Sequence, residues 1–526
     1  MPDRVRDSWT ATRGAGVALL IAIGALLAGC GGGSGTGPAA LPEAVAGPAW
    51  WGFGRDAQHT AQGAVATQPL SRIRWSTAVD LAPQLVGSDL LIHYGSPVIT
   101  SRNTVLLPLK TGASGGFSVE ARSGATGALL WSAASDYVLP RHDWTPSYNL
   151  SLTANNRLHM PGAGGKLLYR DDADAPAGTL KTIVFYGPEI YAASQALFDA
   201  GVFINTPITI DSAGNLFFGF IVTATNPAGL VSGIARIGAD GVGSWVAAGV
   251  AAGDPSIAQV AMNNAPALSL DQRTLYLAVN TATTPGVRQS GYLLALDSAT
   301  LATRAVRRLN DPKTGKPAWI SDNASSSATV GPDGDVYFGV LESDAPGHNF
   351  RGWLLHFDGT LAVSKLPGSF GWDISASIVP AGMVSGYAGT SAYLVMTKYN
   401  NYAGAGSGDG SNRMAVLDPN QGQADFISGI PVMKEILTIL GPTPDAGYPG
   451  GVTEWCINTA AVDPLTKSIL VNSEDGYLYR WSMTDNRFTE QIRLSGGIGE
   501  AYTPTAIGPD GAVYAIQNAT LFSIGR

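Results

Sequence analysis

A short unit that recurs along the chain constrains the fold more than any other feature. Its clearest copy, EAYTPTAIGPDGAVYAI, begins at Glu500 and joins two apolar strands through a turn rich in Gly, Pro and Asp. Seven further copies precede it, and they begin at Tyr94, Trp144, Ile204, Asn263, Ala324, Asp373 and Ile457. Their spacing of about 55 residues is near the upper end of the usual blade periods. The sequence therefore predicts an array of one repeated β unit.

Two more short strands complete the unit. GYLLALDSAT at Gly291 and GYLYRWSMTD at Gly476 are examples of the third strand, and a fourth apolar run follows. The 66 glycines, 32 prolines and 14% charged residues fit many short strands separated by tight turns. Four strands in each of eight units predict an all-β fold, an eight-bladed β-propeller of four-stranded antiparallel blades. Because several copies are loose, seven blades remain an alternative.

The last unit has too few strands for a complete blade. It supplies three strands, at Thr503–Ile507, Ala512–Ile516 and Thr520–Ile524, and then the chain ends. The segment LSRIRWSTAVD at Leu70–Asp80 reads as a fourth strand with no unit before it. We therefore predict that N- and C-terminal strands share one blade and close the ring, which removes open sheet edges.

The N-terminus has the pattern of a targeting segment. Arginines precede an apolar run, Val17–Leu27, that is too short to span a bilayer as a mature helix. Leu27–Cys30 resembles the bacterial lipobox, which implies a lipid on Cys30; an ordinary secretory signal is the alternative. We predict a signal peptide over residues 1–29, a flexible Gly-rich tether over 30–48 and the propeller over 49–526. Because Gly31 follows the cysteine, we expect the outer membrane, with the inner membrane left open.

Two stretches resemble a known family. In FSVEARSGATGALLWS, residues Ala121, Thr126, Gly127 and Trp131 match the tryptophan-docking repeat of pyrroloquinoline-quinone (PQQ) propellers. WWGFGRDAQHTAQG, over residues 50–63, resembles the segment that opens many members of that superfamily. The chain thus resembles the quinoprotein alcohol dehydrogenases, whose fold implies PQQ held with a disulfide of adjacent cysteines, a calcium ion and a catalytic aspartate.

The residues that would hold these groups are missing from the sequence. The cysteines are Cys30 and Cys456, which are not adjacent, and no run of acidic residues has the spacing of a calcium loop. We therefore predict no catalytic residue, no metal site and no cofactor, PQQ included. Cys456 is expected to be a small buried hydrophobe.

A candidate ligand site comes from the position of each repeat in a propeller. Residues just before each innermost strand lie on the connection between blades, at the mouth of the central channel. The candidates are Asp143, Trp144, Asp322, Trp372, Asp373, Glu454, Trp455, Glu500 and Tyr502. Aromatic faces beside carboxylates suit a saccharide, a peptide or a cation. Alternatively, the polar residues cap loops and the tryptophans wedge adjacent blades together.

Several function classes remain. A net charge of -8 without a Lys/Arg run argues against nucleic acid as a partner. We predict a lipid-anchored protein of the cell envelope that serves as a binding or interaction scaffold for an envelope protein or a saccharide. Its architecture is similar to that of the lipoprotein propeller of the outer-membrane barrel-assembly machinery. The alternative is an envelope enzyme, either a quinone-dependent dehydrogenase or a saccharide-active protein, that uses the same face.

Overall fold

The computed structural model describes residues 49–86, 89–90, 94–113, 115–142, 148–281, 289–320, 326–457, 459–496 and 505–526. Within these ranges the strands form eight antiparallel sheets arranged as the blades of a ring, and one separate two-stranded hairpin, so the predicted eight-bladed β-propeller is confirmed. No helix in the described ranges combines the length and the apolar character needed to cross a membrane.

The first half of the ring follows the chain in order. The chain begins with β1 (Arg72–Ala78) and the hairpin β2 (Leu85–Val86) and β3 (Asp89–Leu90). Blade 1 contains β4 (Val98–Ile99), β5 (Thr104–Lys110), β6 (Gly115–Ser123) and β7 (Leu129–Val138). Blade 2 contains β8 (Ser151–Leu152), β9 (Leu158–Pro161), β10 (Leu167–Arg170) and β11 (Lys181–Ile183). Blade 3 contains β12 (Val202–Ile204), β13 (Thr209–Ile210), β14 (Leu216–Val222), β15 (Gly233–Ile237) and β16 (Gly243–Ala247). Blade 4 contains β17 (Gln259–Val260), β18 (Ala267–Leu268), β19 (Thr274–Asn280), β20 (Gly291–Asp297) and β21 (Thr303–Arg308).

The second half departs from the four-strand pattern in one blade. Blade 5 contains β22 (Thr329–Val330), β23 (Val336–Val340) and β24 (Trp353–Phe357), and its fourth position is taken by residues 364–368 through two isolated bridges. Blade 6 contains β25 (Ser377–Pro380), β26 (Tyr393–Tyr399), β27 (Arg413–Ala424) and β28 (Pro431–Leu440). Blade 7 contains β29 (Ala461–Asp463), β30 (Ser468–Asn472), β31 (Tyr477–Ser482) and β32 (Arg487–Arg493). Blade 8 contains β33 (Ala506–Ile507), β34 (Val513–Gln517), β35 (Thr520–Gly525) and β1.

Helices are short and lie between blades. They are α1 (Pro188–Ala193), α2 (Gln195–Gly201) and α3 (Ala248–Ala252), with 3-10 turns at Ala163–Gly165 and Ala381–Met383.

The strand sequences explain the layering of each blade. The second strand β5, TVLLPLK, is buried along its whole length, whereas the outermost strand β32, RFTEQIR, alternates between exposed and partly buried residues. Continuous apolar runs thus lie inside the ring and alternating ones at its rim.

The Gly-Pro-Asp-Gly turns show how the repeat encodes its hairpin. Gly334 and Gly511 have φ angles of 87° and 78°, in the region that glycine adopts without steric cost. Each donates its N–H to the carbonyl of the glycine three residues earlier, at 2.9 and 2.8 Å. The turn links the innermost strand of blades 5 and 8 to the next strand.

The predicted ring closure is confirmed. β1 pairs antiparallel with β35, and the register runs from Arg72 opposite Gly525 to Ala78 opposite Thr520. The closing strand also contacts the next blade, because the indole N–H of Trp75 donates to the carbonyl of Gly124 at 2.9 Å. Trp131 donates to the carbonyl of Ala173 in the same way at 3.0 Å. A tryptophan of one blade therefore docks on the following blade.

Residues 50–63, which we call the plug, cross one end of the channel. Backbone groups of the plug hydrogen-bond to the innermost strands of blades 1, 2, 4, 5, 6 and 7. In blade 1, Trp50 exchanges both of its bonds with Ile99, at 2.6 and 2.9 Å. In blade 6, the carbonyl of Thr60 accepts from the N–H of Ile378 at 3.0 Å. These strand residues lie next to the turns that leave the innermost strands, so the plug closes that end of the ring.

The plug is held in shape by its own polar groups. The Asp56 carboxylate accepts from the backbone N–H of Gln58 and of Thr60, at 3.2 and 2.9 Å. Arg55 donates to the carbonyl of Gln62 at 3.0 Å. The His59 ring is buried edge-on against Phe53 and its Nδ1 lies 2.7 Å from the carbonyl oxygen of Ala328 in blade 5. The plug is therefore an ordered part of the propeller core.

Candidate functional site

The candidate site lies at the end of the ring opposite the plug, where the chain enters each innermost strand; we call this the entry end. Five predicted site residues lie outside the described residues: Asp143, Trp144, Asp322, Glu500 and Tyr502. The other four belong to the connections that lead into blades 6 and 7: Trp372, Asp373, Glu454 and Trp455. The junction of these two blades is thus where the site is described.

The two tryptophans differ in environment. Trp455 is only 1% exposed and packs against the rings of Tyr479 and Phe488, at centroid distances of 5.8 and 5.9 Å. Its indole therefore acts as a wedge in the blade 7 core, and it offers no free face for stacking. Trp372 is partly exposed, although it also packs beside Phe350. Trp372 keeps the exposure that a ligand-stacking residue needs.

Asp373 faces a buried lysine. The side chain of Lys398 comes from β26, the second strand of blade 6, and its ammonium nitrogen lies 3.8 Å from the Asp373 carboxylate. Asp373 and Lys398 are 2% and 1% exposed. Asp373 has a φ of 54°, a left-handed conformation that Asp tolerates better than most residues. This sharp bend places the carboxylate before β25 at the entry end.

A side-chain clamp fixes the connection into blade 7. Asn400 accepts from the backbone N–H of Trp455 and donates to the carbonyl of Trp455, both at 3.1 Å. The residues on either side of Trp455 are Glu454 and Cys456, which are 5% and 2% exposed. In an extended segment, side chains two residues apart lie on the same side. The clamp thus directs the carboxylate and the thiol to one side of the chain.

Glu474 completes this group from the turn after β30. The carboxylate oxygens of Glu454 and Glu474 and the Sγ of Cys456 all lie within 4.8 Å of one another, and all three residues are buried. The Cys456 thiol donates to Glu474 Oε2, with Sγ and the oxygen 2.6 Å apart. Burial raises the pKa of Cys456 well above its ordinary value, and the charges of Glu474 and Glu454 raise it further. Without a bound cation the thiol therefore stays protonated.

Among the described residues, this junction carries more acidic than basic side chains. We define the entry-end cluster as Asp373, Lys398, Glu454, Cys456 and Glu474. It holds three carboxylates against one ammonium group, and each of these side chains is at most 5% exposed. Burying several carboxylates close together is costly, so such a cluster favours a cationic ligand or protonated carboxylates. Burial, together with the charge of Glu454, raises the pKa of Tyr402 well above its usual range.

Three members of the cluster were not predicted as site residues. Cys456 was expected to be a hydrophobe, and Lys398 and Glu474 were not candidates. The signal for Cys456 was the Glu-x-Cys spacing in an extended segment, which places both side chains on one side. Lys398 and Glu474 lie at or just beyond the ends of second strands, so a search limited to residues before the innermost strands misses them.

Comparison with known proteins identifies the fold. No protein-family model matches the chain, and no curated protein matches it in sequence. Among solved structures, 1129 chains match. A europium-containing methanol dehydrogenase is 10% identical with a TM-score of 0.53, and the match covers 89% of each chain. The quinohemoprotein alcohol dehydrogenase from Comamonas testosteroni is 12% identical with a TM-score of 0.51, and the match covers 91% of this chain and 81% of that one. The fold is that of the quinoprotein β-propellers.

These likenesses extend to the fold alone. BamB from Moraxella catarrhalis also matches, with 13% identity and a TM-score of 0.42 over 88% of this chain and 100% of that one. At such identities, shared architecture does not carry an activity from one propeller to another. The function of this quinoprotein-like propeller has to be inferred from its own residues.

The entry-end cluster lacks the pair of adjacent cysteines that the resemblance implies for a PQQ site. The cluster instead presents Asp373, Glu454 and Glu474, with Lys398 already beside Asp373. Cys456 has no neighbouring cysteine in sequence with which to form the disulfide of that family.

Proposed function

We propose that the protein is a lipid-anchored β-propeller of the cell envelope that binds a cationic ligand at the entry end of its channel. The observation that carries this proposal is the charge of the entry-end cluster, where three buried carboxylates face one buried lysine. A bound cation would remove the desolvation penalty of this arrangement. Binding is favoured over catalysis because burial, together with the charges of Glu474 and Glu454, raises the pKa of Cys456 and holds the cluster's one thiol in its protonated, weakly nucleophilic form.

The fold supports the same proposal. The plug closes the opposite end of the channel with backbone hydrogen bonds to six blades, so a ligand reaches the cluster from the entry end. Trp372 is partly exposed beside Asp373 and supplies an aromatic face near the carboxylates. Aromatic faces and carboxylates together attract ammonium and guanidinium groups.

Thermal unfolding tests cation binding directly. Melting temperatures of the purified full chain are measured with spermidine, with arginine amide and with zinc or calcium chloride, at constant ionic strength. We expect at least one of these cations to raise the melting temperature of the wild type and to have less effect on Glu454→Gln. The control is Glu189→Gln, which removes an exposed carboxylate in α1 far along the chain from the cluster. Equal responses of wild type and Glu454→Gln to every cation would contradict the proposal.

Membrane fractionation tests the anchor. We expect wild-type protein in the membrane fraction and Cys30→Ala either in the soluble periplasmic fraction or as an unprocessed precursor.

A pull-down from detergent-solubilised envelope tests whether the protein is an interaction scaffold. Recovery of barrel-assembly components with wild type and with Glu454→Gln alike would favour an interaction scaffold that does not use the cluster.

A further inference from the structure

We propose that Glu454, Cys456 and Glu474 bind a divalent metal ion of the zinc class. The proposal deepens the cation-binding function above, because it names the cation and the atoms that hold it. The three residues are buried, and they bring one sulfur and two carboxylate groups to a common point at the entry end.

The distances suit a single small ion. The three ligand atoms lie within 4.8 Å of one another. Zinc binds thiolate sulfur at about 2.3 Å and carboxylate oxygen at about 2.1 Å, which places neighbouring ligands of a tetrahedral site roughly 3.4–3.6 Å apart. Small side-chain rotations bring the present atoms to that separation. Three protein ligands leave a fourth coordination position for water or another donor.

The backbone that carries the ligands is fixed without the ion. Asn400 clamps the backbone of Trp455, between Glu454 and Cys456, with its two hydrogen bonds. Next to Glu474, the carbonyl of Ser473 accepts from Gln517 in blade 8. The ligands therefore stand on ordered segments that are tied to blades 6 and 8. Preorganisation of this kind lowers the entropy cost of binding.

The donor set selects the class of metal. A thiolate is a soft ligand that favours zinc and related transition ions, whereas calcium and magnesium prefer sites made only of oxygen. Metal binding displaces the thiol proton to solvent, so Cys456 enters the site as a thiolate and the ion balances the added charge.

Metal analysis of the full chain tests the proposal. Protein is stripped with a chelator, dialysed against zinc or cobalt chloride, and its metal content is measured by plasma mass spectrometry. We expect one zinc per wild-type chain, and a near-ultraviolet sulfur-to-cobalt charge-transfer band with cobalt. Cys456→Ser should lose that band and weaken zinc binding by about tenfold or more, as measured by competition with a chromophoric chelator.

Two further variants and one comparison make the outcomes decisive. Glu474→Gln should weaken zinc binding while its circular dichroism spectrum stays that of the folded wild type. Glu189→Gln should bind zinc as tightly as the wild type does. Because Cys30 is present in every variant, any loss in Cys456→Ser belongs to Cys456. Zinc binding that Cys456→Ser leaves unchanged would overturn the metal site. If spermidine or arginine amide binds in a Glu454-dependent way but zinc does not, the metal proposal fails while cation binding stands.

Discussion

Replacing Gly127 by alanine should disturb the docking of Trp75, the tryptophan of the closing strand, on blade 1. Gly127 has a φ of 74°, and a Cβ added there would lie 2.7 Å from Cγ of Trp75. Real Cβ contacts essentially never come so close, and the atom met is the rigid root of the indole. Trp75 must therefore move, which also disturbs its hydrogen bond to Gly124 at 2.9 Å.

The expected cost has two parts. A left-handed φ costs an alanine about 1–2 kcal/mol relative to glycine. Displacing a packed side chain typically adds about 1–3 kcal/mol. The free energy of unfolding should therefore fall by about 2–5 kcal/mol. Gly315→Ala is a matched control, because Gly315 has a φ of 71° and a Cβ added there would meet nothing within 4 Å, so only the conformational part remains.

Urea unfolding, followed by fluorescence and circular dichroism, measures both variants; coincident transitions justify comparing free energies. In a Trp75→Ala background, Gly127→Ala should cost only as much as Gly315→Ala, which gives a coupling energy of about 1–3 kcal/mol. If Gly127→Ala is no less stable than Gly315→Ala, or if its cost is the same with and without the indole, the proposed docking contact is wrong.

Three other outcomes follow from burial and closure. Trp455→Ala should lower the free energy of unfolding by about 3–5 kcal/mol because it leaves a cavity in the blade 7 core. Trp372→Ala, at a partly exposed position, should lower it by less than about 2 kcal/mol. Equal shifts of the two unfolding midpoints would contradict the environments assigned to these tryptophans. Burial lowers the pKa of His59 to about 4. As the pH falls below about 6.5 the unfolded chain therefore protonates His59 while the folded chain does not, and the free energy of unfolding should fall by up to about 3 kcal/mol between pH 6.5 and 4. In urea titrations, His59→Gln should lose less free energy of unfolding over that interval. Deletion of residues 70–80 removes β1 and should abolish cooperative unfolding, so a single sharp calorimetric transition in that variant would refute closure.

The blades were predictable because each repeat carries its own local information. Apolar runs of strand length and glycines with positive φ, such as Gly334 and Gly511, specify a hairpin without reference to distant residues. The closing strand was predictable by counting strands. By contrast, the reduced fourth strand of blade 5, at residues 364–368, has no sequence signature distinct from a loop.

The course of the plug and the composition of the cluster depend on contacts that are distant in sequence. The carbonyl of Thr60 accepts from Ile378, and backbone hydrogen bonds of this kind leave no mark on side-chain identity. Lys398 and Glu474 reach the entry end from second strands, and the tertiary arrangement of blades 6 and 7 brings them to Asp373 and Cys456. Sequence position identified two of the five cluster residues, Asp373 and Glu454, and could not identify the other three.

The path of the plug also gives the propeller a direction relative to a surface. Trp50, where the plug begins, pairs with Ile99 at the plugged end of the ring. If Cys30 carries the proposed lipid, the anchor is connected to the propeller through Trp50, at the plugged end. The plugged face would then lie toward the bilayer and the entry end would face the aqueous compartment. A cation would therefore arrive from solution, without passing through the headgroups of the membrane.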